Sequence, residues 1–127
     1  MVSLVRELSA VYPGGVLEYE TMTPENLAKL SEGKNLVVNA TPIGMLPKVD
    51  ATPWPAAVRL PEEAVFFDIV YNPPETEFLK RARLEGHKAV SGLGMLVHQG
   101  AASFETWTGI KPPADVMFRV CREALSD

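Results

Sequence analysis

One cysteine and two histidines are all that the 127 residues offer to thiol or imidazole chemistry. The lone thiol, Cys121, excludes an internal disulfide and fits a reducing compartment. His87 and His98 have no Cys or His neighbours, so no metal site is expected. Lys/Arg clusters are missing as well: the net charge is −4, with the two signs interleaved. Neither nucleic acid nor an anionic membrane surface is therefore an expected partner. Long apolar runs are absent too. Stretches such as Ala64 to Phe67 fall far short of the roughly 20 residues that a bilayer-spanning helix needs. Met1 to Glu7 carries an acid early and lacks signal-peptide architecture, which makes the cytoplasm the expected location. What is present is the balance of one soluble globular domain over residues 1–127: 46% hydrophobic and 22% charged, enough to bury a single core.

Leu4, Val5, Leu8, Val11 and Tyr12 recur at helical spacing and predict a first helix, ended by Pro13-Gly14-Gly15. Val16 to Tyr19 reads as a short strand. Thr23 as N-cap, with Pro24 at the first helical position where its missing N–H costs nothing, starts a second helix. That helix turns Leu27, Ala28 and Leu30 inward and stops at Gly33. Leu36-Val37-Val38 suits a buried parallel strand. Pro42, Pro47, Pro53, Pro55 and Pro61 then forbid a long helix or a central strand, leaving an ordered loop that carries Trp54. Val65 to Val70 is a second buried strand. Thr76 caps a helix closed by Gly86, and Lys88-Ala89-Val90 is a short strand. Gly92-Leu93-Gly94 turns into a helix from Met95 to about Trp107, ended by Gly109 and Pro112-Pro113. A last helix sets Val116, Met117, Val120, Cys121, Ala124 and Leu125 on one apolar side, where the thiol is inert. Trp54 and Trp107 are expected to pack, and His87 to be solvated in its turn. Strands alternating with helices imply βαβ units, hence an α/β domain with a mainly parallel sheet.

Ligands of open α/β sheets bind beyond the carboxyl ends of the strands, and three segments end there. In Val38-Asn39-Ala40-Thr41-Pro42-Ile43-Gly44-Met45, Asn39 and Thr41 offer hydrogen bonds and Gly44 permits close approach to the backbone. By itself this stretch favours a plain strand-end turn with local side-chain bonds. In Asp68-Ile69-Val70-Tyr71-Asn72-Pro73-Pro74, an acid inside an apolar strand needs a backbone donor or a cation. Tyr71 is either a phenol at the ligand edge or a core aromatic with a satisfied hydroxyl. In Ser91-Gly92-Leu93-Gly94-Met95-Leu96-Val97-His98-Gln99-Gly100, the glycines open the backbone to a planar ligand. Met95 and Gln99, four apart, share a helix face, while His98 points about 100° away. A Gly-x-Gly alone is weak. Lys48 could reach a phosphate, though an exposed lysine usually reaches only water. No Ser-His-Asp arrangement or carboxylate pair emerges.

In order and spacing, these segments resemble shikimate dehydrogenase. The similarity runs through Asn39-Ala40-Thr41-Pro42-Ile43-Gly44-Met45, then Asp68-x-x-Tyr71-x-Pro73 with Thr76 and Leu79, then Gly92-Leu93-Gly94-Met95-Leu96 with Gln99, Phe104 and Trp107-Thr108-Gly109. Each motif is moderately specific, and all three in order are strongly so. The resemblance implies a partial Rossmann-like, doubly wound parallel sheet with helices on both faces, missing the first two strands of the cofactor domain. It implies that Asn39, Ala40 and Thr41 line NADP and that Ile69, Gly92 and Met95 meet the nicotinamide end. Tyr71 and Gln99 would hydrogen-bond shikimate or 3-dehydroshikimate, interconverted by reversible hydride transfer with NADPH.

The departures weigh as much. The family's substrate domain, with its Ser-x-Ser and its Lys–Asp pair for proton transfer, has no counterpart in this sequence. Neither does its Gly-rich phosphate loop or its Asn-Arg-Thr segment for the 2′-phosphate. The chain is expected to be inactive alone and to bind dinucleotide weakly. Alternatives are a quinate/shikimate dehydrogenase fragment, or a non-catalytic small-molecule-binding or assembly module. With a sheet ordered 3-2-1-4-5-6, Val16–Tyr19 would lie two strands away from Leu36–Val38. Either the sheet closes up or a second chain fills the gap, as a homodimer or a complementing amino-terminal half.

Overall fold

A computed structural model describes residues 2–12 and 14–125. In chain order the elements are α1 (Val2–Val11), α2 (Pro24–Ser31), β1 (Leu36–Asn39), β2 (Val65–Asp68), α3 (Glu77–Leu84), β3 (Ala89–Val90), α4 (Leu93–Thr108) and α5 (Ala114–Ala124). Local chemistry sets several of these boundaries. The Thr23 hydroxyl accepts the Asn26 N–H at 3.2 Å to open α2, and Thr76 does the same for Leu79 at 3.4 Å in α3, each satisfying an orphan donor of a first turn. Gly109 closes α4 in the left-handed conformation, φ 70°, which favours glycine.

The three strands run parallel in the order β1-β2-β3, with Val37 opposite Phe66 and Asn39 opposite Asp68. Alternation along the strands divides the side chains between two faces. One face carries Val37, Asn39, Phe66, Asp68 and Ala89, and it is the covered one. Phe66 is fully buried there among Phe78, Leu79 and Ala82 of α3, with Leu27 of α2 packed alongside. The proline-rich loop completes this core by lowering Trp54 onto it. The indole meets Phe66 edge-on at 6.1 Å and stacks on Phe78 at 6.4 Å, and its Nε1–H donates to the Val58 carbonyl at 3.0 Å. The Arg81 guanidinium ties the same loop down from α3, donating to the carbonyls of Pro55 at 3.0 Å and Val58 at 2.9 Å.

The opposite face holds Leu36, Val38, Val65, Phe67 and Val90, and it is much barer. Leu36 is 58% and Val38 48% exposed. At the end of the chain, α5 lies along α4: Phe118 approaches Gly94, Met117 approaches Gly100, and the His98 ring meets Phe118 at 6.2 Å.

Several expectations change. Val16–Tyr19 forms no strand: the residues are irregular and exposed. A strand's hydrogen bonds come from its neighbours, and among the described residues no strand pairs with this segment. The sheet does not close up, because β1 remains its edge. The helix stop assigned to Pro13 lies outside the described residues. His87 packs its ring on Phe66 at 5.1 Å rather than standing in solvent. Trp107 is 82% exposed rather than packed. On α5 the inward side includes Phe118, while Val116 and Val120 face out.

The two tryptophans therefore predict opposite outcomes. Trp54→Ala removes a buried indole and is expected to cost about 3–5 kcal/mol, whereas Trp107→Ala should stay within about 0.5 kcal/mol. Urea denaturation of both variants beside the parent checks the pair, and equal losses would contradict this packing.

Candidate functional site

At the carboxyl ends of β1 and β2, one carboxylate organises the chain. Asp68 is fully buried. Its Oδ1 accepts the Asn39 side-chain amide at 3.0 Å and the Val70 N–H at 2.9 Å, and its Oδ2 accepts the Thr76 hydroxyl at 2.7 Å. Among the described residues no cation takes part. These donors supply the pairing that a buried charge requires. Each belongs to a different piece of backbone: the end of β1, the segment leaving β2, and the cap of α3.

Asn39 carries the order onward. Its Nδ2 also reaches the Ile43 carbonyl at 3.2 Å, and its Oδ1 accepts both the backbone N–H and the hydroxyl of Thr41, at 3.1 and 2.7 Å. The turn from Asn39 to Met45 is thereby closed on itself. Gly44 completes it at φ +92°, where an added Cβ would lie 3.2 Å from the Ala51 carbonyl. Its missing side chain serves the turn and its packing.

Between this turn and the segment after β2 lies a pocket of about 620 Å³, lined by Ala40, Thr41, Pro42, Met45, Leu46, Ile69, Val70, Tyr71, Asn72 and Met95. The sequence-predicted residues Ala40, Thr41, Ile69, Tyr71 and Met95 thus meet in one cavity. Tyr71 is 40% exposed there, and its hydroxyl has no protein partner among the described residues. The reading as a core aromatic with a satisfied hydroxyl is accordingly replaced by a free phenol at the rim.

The remaining predicted residues lie behind or beside the cavity. Asn39 is only 3% exposed, with its amide spent on the turn and on Asp68. Gly92 stands behind Ile69: a Cβ there would sit 2.1 Å from the Ile69 carbonyl oxygen. The absent side chain lets α4 begin directly against β2, with the Gly92 N–H donating to the Val70 carbonyl at 3.2 Å. That contact brings Met95, in the first turn of α4, to the pocket. Gln99 is one turn further along and exposed, its Nε2 bonded to the Leu96 carbonyl at 3.0 Å. Lys48 is not part of the lining.

A second depression, of about 510 Å³, lies at the opposite end of the sheet between Ala28–Asn35 and Arg59–Glu63. It gathers none of the predicted residues, and parallel sheets bind ligands at the other end. Among the described residues no group of acids, histidines and cysteine could hold a metal, and no helix is long and apolar enough to cross a membrane. Sequence reasoning did not single out Pro42, Met45, Leu46, Val70 or Asn72 as lining residues; all but Leu46 lie within the motifs, and Leu46 directly follows one.

The comparisons agree with this geometry. The model of the shikimate 5′-dehydrogenase C-terminal domain matches residues 92–122. A shikimate dehydrogenase (NADP(+)) of Methanosarcina barkeri is 40% identical over 124 residues, 98% of this chain and 43% of that protein. By sequence the chain is kin to the carboxyl-terminal part of shikimate dehydrogenases. Structures agree: shikimate 5-dehydrogenase from Thermus thermophilus, solved with NADP(H) and shikimate, superposes with a TM-score of 0.68 at 40% identity, covering 81% of this chain and 37% of that one. Quinate dehydrogenase from Corynebacterium glutamicum, in complex with NAD, gives 0.77 at 28% identity over 93% of this chain and 40% of that one. The chain spans less than half the length of each of these relatives. The α/β, partial Rossmann-like reading of the sheet holds.

If Asp68 is the hub of this end of the sheet, Asp68→Ala strands three buried donors and should cost about 3 kcal/mol or more. Asp68→Asn should lose clearly less, because its Oδ1 still accepts from Asn39 and Val70 while the Thr76 hydroxyl can rotate to accept. Chemical denaturation of the two variants tests this. Equal stability of the Ala variant and the parent would refute the hub.

Proposed function

We propose that this chain forms one wall of the catalytic cleft of an NADP-dependent shikimate dehydrogenase, the enzyme that interconverts 3-dehydroshikimate and shikimate. The observation that carries the reading is the pocket beyond β1 and β2, which gathers Ala40, Thr41, Ile69, Tyr71 and Met95.

The lining fits one end of the cofactor and not the other. It is apolar apart from Thr41, Tyr71, Asn72 and main-chain groups, and it contains no Lys or Arg. Such a surface suits a flat, weakly polar ring pressed against backbone and thioether. It offers nothing to pyrophosphate or to a 2′-phosphate, which favour helix N-termini, glycine-rich loops and cations. In this proposal Ala40, Thr41, Ile69 and Met95 contact the nicotinamide end. Asn39 fixes the turn that presents Ala40 and Thr41, and Gly92 sets the spacing between Ile69 and α4. Tyr71 and Gln99 donate to the carboxylate and hydroxyl groups of shikimate. When bound, NADP supplies the hydride acceptor. The chain's own residues bind and orient.

No carboxylate, lysine or histidine lines the pocket and Tyr71 is assigned to binding, so this proposal places the transfer of the hydroxyl proton on residues outside the chain. General acid–base catalysis contributes about 10²–10⁴-fold to rate, and here that contribution must come from residues outside the chain. A quinate dehydrogenase is the second reading, favoured by the match over 93% of the chain to the quinate enzyme. The pocket does not discriminate between them, because the groups that would read a 2′-phosphate are not among its lining.

Calorimetric titration of the purified chain with NADPH and then shikimate is the test. Weak, saturable binding of both is expected, without NADPH formation from shikimate and NADP+ by the chain alone. Tyr71→Phe and Gln99→Ala should each weaken shikimate by about tenfold or more, the worth of a hydrogen bond to a charged group. No heat from either ligand with a folded sample would overturn the reading.

A further inference from the structure

Thr76 caps α3 and does not line the pocket, yet it bears on the pocket's turn at both ends. It is 1% exposed, so the two arms of its side chain both meet protein. The hydroxyl donates to Asp68 Oδ2 at 2.7 Å while accepting the Leu79 N–H at 3.4 Å. Asp68 accepts the Asn39 amide at 3.0 Å, and Asn39 Oδ1 accepts the Thr41 N–H and hydroxyl at 3.1 and 2.7 Å. The Thr41 hydroxyl in turn accepts the Ile43 N–H at 3.2 Å. That chain of bonds reaches the start of the turn.

The methyl reaches its end. Gly44 presents its bare side to Thr76: an added Cβ would lie 3.4 Å from the Thr76 Cβ and 3.5 Å from its Cγ2. Interiors hold little free space, so the methyl limits how far Gly44 and its neighbour Met45 can sink toward α3. Between the two points of support lie Ala40, Thr41 and Pro42, which line the pocket together with Met45. Capping does not account for this methyl. An N-cap needs only the side-chain oxygen, and serine serves at least as well as threonine.

We propose that Thr76 is a positioning residue for the pocket, its hydroxyl setting the Asn39–Thr41 start of the turn and its methyl setting the Gly44–Met45 end. α3 thereby fixes one wall of a cavity to which it contributes no lining residue. The inference rests on the functional reading above for the identity of the ligand, and its test separates the two.

Two substitutions divide the arms. Thr76→Ser keeps both hydroxyl bonds and loses the methyl, whereas Thr76→Val keeps the methyl and loses the bonds. In heteronuclear amide spectra of the chain, Thr76→Ser should shift the Gly44 and Met45 signals and leave those of Thr41 and Ile43 in place. Thr76→Val should do the reverse. Each should weaken NADPH by about fivefold in calorimetric titration, the scale on which a residue acts through its neighbours. Thr23 caps α2 with the same hydroxyl bond, so Thr23→Ser is the control and should alter neither the turn's signals nor the affinity. If Thr76→Val does not fold, Thr76→Ser decides alone, because it retains the cap. Gly44 and Met45 signals that stay in place in Thr76→Ser, or an NADPH affinity equal to the parent's, would overturn the positioning role and spare the functional reading. A parent that binds no NADPH while its turn responds arm by arm would sink that reading and leave the positioning role standing.

Discussion

A carboxylate inside an apolar strand persists only when its lone pairs are occupied, and Asp68 occupies them with groups from three separate backbone segments. The amide of Asn39, the N–H of Val70 and the hydroxyl of Thr76 converge on it within 3.0 Å. Exposed ion pairs such as Arg59–Glu62 or Lys80–Glu77 contribute little by comparison, because water screens them and their side chains must be ordered to form them. The buried hub acts differently. Its donors are buried with it, so misplacing one leaves a polar group dry at about 1–3 kcal/mol. The ends of β1 and β2 and the start of α3 are thus set relative to one another, and the pocket walls follow from them.

How much of this was legible depended on whether the cause was local. Thr23-Pro24 and Thr76 announce their helices because a cap is made by residues three apart. Leu36-Val37-Val38 and Val65-Phe66-Phe67 announce strands by apolar content alone. Asp68 was recognisable as a residue needing a donor, and Thr76 as a cap. That they satisfy each other was not, because the contact depends on how the chain turns between β2 and α3. Val16–Tyr19 has the composition of a strand, but strand structure resides in pairing, and no neighbour is there. Trp107 shows the same limit: its size predicts burial, yet burial requires a surface to pack on, and the described residues leave it 82% exposed.

The pocket was more legible than its surroundings. Ala40, Thr41, Ile69, Tyr71 and Met95 come from three segments far apart in sequence and line one cavity, because a parallel sheet places all its carboxyl ends along one edge. Asn39 and Gly92 belong to the same motifs but act one step back. Asn39 holds the Thr41 turn, and Gly92 yields the space that the Ile69 carbonyl occupies. A motif residue can therefore be essential to a site that it never touches. For glycine the distinction is sharp: Gly44 has a positive φ, whereas Gly92 has an ordinary φ of −68° and is required only by the 2.1 Å that a Cβ would leave.

The two faces of the sheet are covered very differently. The core of Trp54, Phe66, Phe78 and Leu79 is closed on one side of three strands, and it draws its cover from within the chain: α3, α2 and the proline-rich loop. That face needs no further cover, so the pocket at its rim can be preformed. On the other face the same strands present Leu36, Val38 and Val90 to water. Burying such groups is worth about 25 cal/mol per Å² of apolar area, and that gain is open to whatever segment brings a matching strand. One face is therefore covered from within the chain and carries the pocket at its rim, while the other leaves Leu36, Val38 and Val90 exposed. Because Asn39 ends the edge strand and also anchors the Thr41 turn, the position of β1 acts directly on the geometry of the pocket.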